Sequence, residues 1–558
     1  MVSMLGLGLL MVGWPMLSTG FERVPGGPAD ARLVHYTLEH GHRFVMQREH
    51  HTSFWDPPLF FPARGVATYT DTMVSFLPFY SPWRWIGLSP VGAFQAFVLT
   101  IFILNFLAAF WSLRRLLEVS TVAAGVGAFF FAFAAPRLGN VLHPQMLPWF
   151  FWVLALHALA RLLQDADAVR CGTSDRLLEP AQRRGWIAVF VGALVAQAYG
   201  AFYPFFFFVF AASLGVVLAL GFASARATLL SLLRRNGVDW AWAAAMAALF
   251  LAPLASRYLS ALETLGTRPL GDVHHKMPRA FSWILSHPEN WLYGGLWEVP
   301  WIAGNESIFG IGHLAQGVGL LTLLIAALGL WHGRHRPWVR HLSMLALALV
   351  VVTTRWPGDV IPWDWIYHHV PGSSVIRAMY RFAQCLIVPL AVGLAIHFER
   401  LIHDGRHRWA LLLFAAMALE QGQTLTTWDR EAYGARVTAI AEAVGPGCGS
   451  FYVVATGRPD PRLMEDAMWA SMTIGVPTLN GRYGNLPESW DLLTFIDTAR
   501  PERRKVLERR LHRWLGSHGV DPATTCLLEA DTVTGEVRGS RLARVDDQGF
   551  EVEGGSSP

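Results

Sequence analysis

The sequence predicts an all-α polytopic membrane protein of about eleven transmembrane helices, followed by a small extracytoplasmic α/β domain. Three observations carry that expectation. Of the 558 residues, 53% are hydrophobic and only 15% charged, where soluble domains carry about 25% charged residues. Apolar stretches near the ~20 residues that cross a bilayer recur along the chain. Arginine gathers in every second connection between them, as the positive-inside rule requires.

Taken in order, the start "MVSMLGLGLLMVGWPML" lacks the basic n-region of a cleavable signal and reads as a short first membrane helix, its completeness left open. Spans follow near 91–113, 119–136, 145–163, 186–202, 204–222, 240–260, 314–332, 338–354, 378–397 and 409–424, the first being 2–19. With the N-terminus inside, the inner loops hold Arg114 and Arg115, then a group from Arg161 to Arg184, then Arg226, Arg234 and Arg235, then Arg334 to Arg340, then Arg400 to Arg408. Residues 20–90, 261–313, 355–377 and everything after about 425 then lie outside. The expected domains are 1–424 in the membrane and 425–558 outside it, in a bacterial cytoplasmic membrane.

The first outer stretch is rich in Pro, Trp, Phe and His ("SFWDPPLFFPARG", "LPFYSPWRWIG"). Such segments lie along the membrane interface rather than loop freely in water. In the tail, "GSFYVVATG" and "TTCLLEA" read as short strands and "PERRKVLERRLHRWLG" as a basic amphipathic helix. The formal net charge of +4 is small for this length and gives no reason to expect nucleic acid as a partner. Four cysteines are too few for a disulfide scaffold. Cys448 and Cys526 share the outer tail, where a disulfide and two unpaired thiols are both open readings.

Several charges sit where a simple span would not need them. Arg137, Arg257, Arg355, Arg377 and Arg381 lie at outer helix ends. Snorkelling to the headgroups accounts for any one of them. Arg377 and Arg381 are spaced i, i+4, so on a helix they share one face, and two guanidinium forks match the oxygens of a lipid-linked phosphate. Among acids, Asp30 lies about a dozen residues beyond the first helix and Asp71 enters a stretch returning to the membrane. Glu39, nine residues after Asp30 in a helical run, is expected roughly on the same face. Carboxylates there can act as a general base or as metal ligands, or can pair with Arg32, Arg43 or Arg64. His143 occupies a short outer turn beside Arg137, Asn140 and Gln145, which either presents polar groups to a ligand or caps two helices. Three pairs, His50–His51, His274–His275 and His368–His369, invite a zinc reading, but no Cys/His ligand spacing accompanies them. No cofactor is firmly implied, and a divalent metal is left open.

The motif order "GGPADARLVHYTLEHGHRF", "FWDPPLFFPARGVATYTDTMVSFLPFY", "GAFFFAFAAPRLGNVLHPQML", "PGSSVIRAMYRFAQCLIVPLAVGLA" and "GVPTLNGRYGNLPESW" resembles bacterial multi-pass proteins of the YfhO-like kind, related to the GT-C superfamily of membrane glycosyltransferases. The resemblance runs over nearly the whole chain. It implies a polyprenyl-phosphate-linked sugar donor, a glycan, lipid or protein acceptor, and a catalytic first outer loop over 20–90. It places Asp30 at the superfamily's essential aspartate just beyond helix one, Asp71 at a second acid, and Arg377 with Arg381 at the donor phosphate, to which Arg137 is added. One departure stands out: the commonest acidic pair in such enzymes is a contiguous Asp-Glu, whereas Ala31 follows Asp30 here. The aromatic loop around Trp55, Phe60 and Phe61 is expected to shield the sugar. Glu39 and His143 are further substrate-binding candidates, and "NGRYGN" (Asn480, Arg482, Tyr483) is the expected acceptor contact or a plain turn.

Two rival functions share this architecture. A transporter or flippase would bury ionisable residues at mid-span or break its helices in a repeated pattern, which the apolar spans do not show. A non-catalytic protein that hands on lipid-linked glycans would share every feature but would not need Asp30.

Overall fold

The computed structural model describes residues 1–173, 176–492 and 501–542. A helix lies at each of the eleven expected spans. Six are long and apolar enough to cross a membrane: Pro90–Leu117, Thr121–Leu142, Pro144–Cys171, Phe202–Leu220, Gly237–Leu265 and Met379–His403. Val2–Leu17, Leu320–Gly333 and Pro337–Thr353 are shorter apolar helices. Pro180–Gly200 and His407–Glu420 occupy the two remaining places. The protein is a multi-pass membrane protein.

By its internal contacts the chain divides into two compact units. The first comprises Met1–Ser18, Gln95–Ala255 and Gly266–Thr426, and holds most of the apolar helices. Its core depends on close backbone approach. A Cβ on Gly329 would lie 1.8 Å from the Gly393 carbonyl oxygen, and one on Gly127 would lie 2.8 Å from that of Ala391. Helices in lipid gain little from hydrophobic contact with each other, so small residues that permit such approach supply the packing instead. Glu420 anchors the same unit. It is buried and accepts hydrogen bonds from Leu321 N, Thr322 N, Thr322 Oγ1 and Tyr293 Oη at 2.6–2.9 Å, so it satisfies donors that the start of the Leu320–Gly333 helix leaves open. The Gly237–Leu265 helix has no buried residue of its own, and Trp242, Leu249 and Phe250 are exposed along it. Such a surface suits lipid rather than water.

The second unit gathers Thr19–Phe94, Ser256–Leu265 and the chain from Thr427 onward. The first outer stretch therefore packs with the tail. Arg23–Pro25 pairs antiparallel with Thr427–Asp429. Phe60 N and Phe61 N donate to the carbonyls of Asn480 and Thr478, and Thr478 N to Pro58 O. Both expected tail strands form. Ser450–Thr456 runs parallel to Thr525–Asp531, which pairs antiparallel with Val537–Arg541. The basic helix forms over Pro501–Ser517, with Leu507, Leu511, Trp514 and Leu515 buried in the core that also holds Phe60. Cys448 and Cys526 are joined in a disulfide with their Cα atoms 5.7 Å apart, deciding the question the sequence left open.

Candidate active site

In the second unit Asp30 opens the helix Asp30–Val45. An acid in the first turn faces the positive end of the helix dipole, which favours it there. The residues from Ala31 to His42 are all buried, so the helix is a core element and Asp30, half-buried at its tip, is held in place by everything behind it. Two residues on, Arg32 pairs with Asp466 at 2.7 Å with both side chains buried, and lies 4.4 Å from the Tyr433 ring.

Glu39 departs from its expected place. Nine residues make two and a half turns at 3.6 residues per turn, so Asp30 and Glu39 point to opposite sides of their helix. Glu39 is fully buried, with hydrogen bonds from Arg43 Nε (2.9 Å), Tyr80 Oη (2.7 Å) and Arg84 Nε (3.0 Å). It ties three elements together and is not offered to a substrate.

Farther along the helix, His40 Nε2 donates to the Phe54 carbonyl (3.0 Å), so its Nδ1 accepts from His51 Nδ1 at 2.8 Å. Burial pulls His40 down to about 4 and His51 to about 3, so the pair is neutral near neutrality. Unfolded histidines take up protons near 6.5, ahead of the folded pair. The stability this clasp contributes is therefore fully present above about pH 6.5 and is lost as pH falls through about 4. Thermal unfolding recorded from pH 7.5 down to 4.5 is expected to show a shallower pH slope in His51→Asn than in the wild type; identical slopes would remove the clasp from the account.

Asp71 lies on the short bridge between the 3-10 turns Val66–Tyr69 and Val74–Phe76 and is half-buried. Tyr258 Oη donates to the carbonyl of Thr70 beside it, and Asp71 and Tyr483 are both within electrostatic reach of that phenol. Trp55 lies under the Arg257 guanidinium at 5.6 Å. Asp71, Trp55 and Tyr483 thus meet around the last turns of one helix, and Tyr258 is a residue the sequence reading missed although its neighbour Arg257 stood out.

The expected acceptor motif is largely structural. The Asn480 carboxamide accepts from Val453 N (2.7 Å) and donates to Val453 O (2.9 Å), imitating a strand partner with no exposed surface. Tyr483 is buried near Phe60, with ring centroids 6.1 Å apart. Arg482 alone of the three keeps substantial exposure, and pairs at 3.1 Å with the buried Glu465. Burial lifts that carboxyl to about 7 even with Arg482 opposing it.

The first unit holds a separate constellation. Arg377 and Arg381 are not on one helical face: Arg377 precedes the 3-10 turn Met379–Phe382, and Ala378 between them is non-helical. They are gathered another way. Arg268 N donates to Ser374 O and Tyr380 N to Lys276 O, which lays the 268–276 segment beside 374–380. The Tyr203 hydroxyl accepts from Arg377 N (3.0 Å) and Ala378 N (3.2 Å), while its ring stands 5.1 Å from the Arg381 guanidinium. Burial, then Arg377, holds Lys276 below the usual lysine value; Asp272 opposes this, and Arg381 and Arg268 add to it. Arg268 is lowered by burial and by Arg377 in the same way. Arg268, Lys276, Arg377 and Arg381 are thus half-buried cations gathered within electrostatic reach of one another, with Asp272 beside them. Arg268 and Lys276 carry no local signal, since their relation to Arg377 exists only across a hundred residues of chain.

Arg137 does not join them. It is fully buried, and its guanidinium lies 4.8 Å from the Trp149 ring and 5.2 Å from that of Phe131. None of its guanidinium nitrogens has a hydrogen-bond partner among the described residues. This arginine therefore faces aromatic rings from within the core. His143 lies between two 3-10 turns and is half-buried, while Asn140 beside it is spent on Pro136 O and Gln316 Oε1. Of the histidine pairs, His51 is clasped by His40, His274 bonds Asp364 at 2.6 Å, and His369 stacks on Trp365. Among the described residues, no three His, Cys, Asp or Glu side chains gather as a metal site.

Comparison with solved structures places the architecture. The archaeal oligosaccharyltransferase AglB from Archaeoglobus fulgidus, solved with an inhibitory peptide and a dolichol-phosphate, aligns with 95% of this chain and 68% of its own length at 13% identity and a TM-score of 0.50. A second structure of the Archaeoglobus fulgidus oligosaccharyltransferase, tethered to an acceptor peptide, aligns with 94% of this chain and 68% of that one at 12% identity and a TM-score of 0.52. The chain shares its fold with the archaeal oligosaccharyltransferase AglB. ArnT from Cupriavidus metallidurans aligns with 94% of this chain and 91% of its own at 14% identity, with a TM-score of 0.33, too loose a likeness to argue from. No family model matches the chain, and no curated protein matches it. The likeness thus rests on shape, with side-chain identity almost entirely diverged.

Proposed function

We propose that this chain is an integral membrane glycosyltransferase of the GT-C kind that moves a sugar from a polyprenyl-phosphate-linked donor to an acceptor hydroxyl at the outer face of the cytoplasmic membrane. The observation that carries the reading is the cluster of Arg268, Lys276, Arg377 and Arg381, which the hydrogen bonds between the 268–276 and 374–380 segments and the Tyr203 hydroxyl draw together. AglB, a neighbour in fold, was solved with a dolichol-phosphate, a ligand of the same chemical class as this donor's lipid phosphate.

In the reaction, an acceptor hydroxyl oxygen attacks the anomeric carbon, its proton passes to the Asp30 carboxylate, and the bond from that carbon to the phosphate oxygen breaks. The electron pair leaves with the polyprenyl phosphate, an anion of the kind that the four cations of the first unit would bind. Asp71 acts as the second carboxylate on the substrate. Trp55 offers an aromatic face to the sugar.

Binding of polyprenyl phosphate to the purified chain in lipid nanodiscs tests this cluster. Arg377→Gln and Lys276→Gln are each expected to weaken binding about tenfold, the size of one charge-assisted contact, and raised salt to weaken the wild type. Wild-type affinity in both variants would show that the cluster serves the fold alone.

A further inference from the structure

Within the first unit, the helix Pro180–Gly200 and the span that begins at Gly237 are tied at two places and stand apart between them. At one end Arg184 Nε lies 3.1 Å from Asp239 Oδ1. Just behind it, Arg183 Nε donates to Asn236 Oδ1 at 3.0 Å, the residue before the second helix. At the other end Tyr199 Oη donates to the Phe250 carbonyl at 2.7 Å. Between these ties lies a groove of about 710 Å³, within the ~300–1,000 Å³ usual for a ligand site.

The groove is polar at one end only. Its charged lining residues, Arg184 and Asp239, form the mouth, and Val191, Val195, Trp242, Met246 and Phe250 lie along it. Midway, a Cβ on Gly192 would meet nothing within 4 Å, so the centre of the groove is open. Eleven residues separate Arg184 from Val195, and Asp239 from Phe250. That is about 16 Å of helix, close to half of the ~30 Å hydrocarbon core of a bilayer. In a membrane-spanning chain such a groove meets hydrocarbon rather than water, and its length is that of one leaflet.

The mouth specifies the polar end of the occupant. The guanidinium of Arg184, which is exposed, can hold a phosphodiester oxygen, whereas Asp239 beside it can accept N–H bonds from a primary ammonium. Opposite charges side by side match a head group that carries its own anion and cation. A head group with the phosphate alone sets that phosphate against Asp239, and a quaternary ammonium has no N–H to give. An exposed ion pair is weak, so a head group that bridges Arg184 and Asp239 displaces little.

We propose that this groove binds one phosphatidylethanolamine of the surrounding bilayer, with an acyl chain along Val191, Val195, Met246 and Phe250 and the head group across Arg184 and Asp239. The site shares no residue with the cation cluster or with Asp30 and Asp71, so it goes beyond the glycosyl-transfer reading and does not depend on it.

The test uses the full chain in phosphatidylcholine nanodiscs doped with a phosphatidylethanolamine that carries a photoactivatable group at the end of one acyl chain. Cross-links are expected to concentrate on Val195, Met246 and Phe250, at the far end of the groove, over Leu249 and Val217, which are exposed elsewhere on the same unit. Unlabelled phosphatidylethanolamine is expected to compete about tenfold better than phosphatidylcholine or phosphatidylglycerol, the size of one charge-assisted contact. Arg184→Gln is expected to lower the labelling about tenfold for the same reason. Gly192→Leu is expected to match it by filling the groove, with an unchanged unfolding temperature because the new side chain enters open space. Asp239→Asn is expected to erase the preference over phosphatidylcholine. Cross-links as dense on Leu249 and Val217 as in the groove, and unmoved by Gly192→Leu, would show bulk lipid only and overturn the site. Competition by phosphatidylglycerol equal to that by phosphatidylethanolamine would overturn the head-group assignment. Competition by polyprenyl phosphate alone would give the groove to an isoprenoid tail and overturn the proposal as well.

Discussion

Asp30→Asn is expected to remove sugar transfer by about a hundred- to ten-thousandfold, the range that general base catalysis supplies. The substitution keeps the shape of the side chain and its place at the tip of the Asp30–Val45 helix, but the amide cannot take a proton from the acceptor. A competing explanation is loss of the favourable charge at the helix N-terminus, which amounts to about 0.3–1 kcal/mol. The chemical effect corresponds to about 3–5 kcal/mol in barrier height, so the two are separable by size. Transfer from a panel of polyprenyl-phosphate sugars, measured beside lipid binding and thermal unfolding, makes the comparison. Retained binding with no turnover supports Asp30 as the base. Turnover equal to wild type would remove Asp30 as the base, whereas lipid-sugar binding without turnover in either form would favour a protein that binds and hands on lipid-linked glycans.

Asp466→Ala is expected to be among the most destabilising single changes in the second unit. Asp466 meets Arg32 at 2.7 Å and Arg436 at 2.6 Å, with no exposed side-chain surface of its own. Arg436 also has Asp460 at 3.0 Å, whereas Arg32 would be left against the faces of Tyr433 and Trp428. Breaking a buried pair so that one charge stays unpaired costs about 3–5 kcal/mol, which lowers the unfolding temperature by about 10 °C in a unit of this size. Because Arg32 is two residues from Asp30, activity is expected to fall as well. Replacing the pair together, Arg32→Met with Asp466→Leu, should recover much of the loss, since apolar groups need no counter-charge. A single variant that melts with the wild type would show that water reaches this network and that it is not a sealed pair.

The spans were legible because crossing a bilayer is a local property: some twenty apolar residues in a row meet it wherever they occur, and a helix stands at every one of the eleven places. The tail strands were legible for a similar reason, as short runs such as "FYVVA" and "CLLEA" favour extended structure by their own composition. Legibility failed where a side chain's role depends on what meets it. Asn480 looked like a ligand contact until the backbone of Val453 was found to use both ends of its amide. Glu39 was readable either as a substrate contact or as a partner of Arg43, and Arg137 as a phosphate ligand or a snorkelling charge; one is locked by two arginines, Arg43 among them, and a tyrosine, and the other is enclosed by aromatic rings.

By itself, then, the sequence determined that this is a multi-pass helical membrane protein with a small mixed tail, and it singled out Asp30, Asp71, Arg377 and Arg381. Hydropathy and periodicity are sums over neighbours in the chain, and they need no partner to be read. Only the tertiary structure decided that Arg268 and Lys276 join Arg377 and Arg381, that Tyr258 donates to the Thr70 carbonyl beside Asp71, and that the first outer stretch packs with the tail. Those relations join residues far apart in the chain, where burial and charge act through space and leave no trace in local composition.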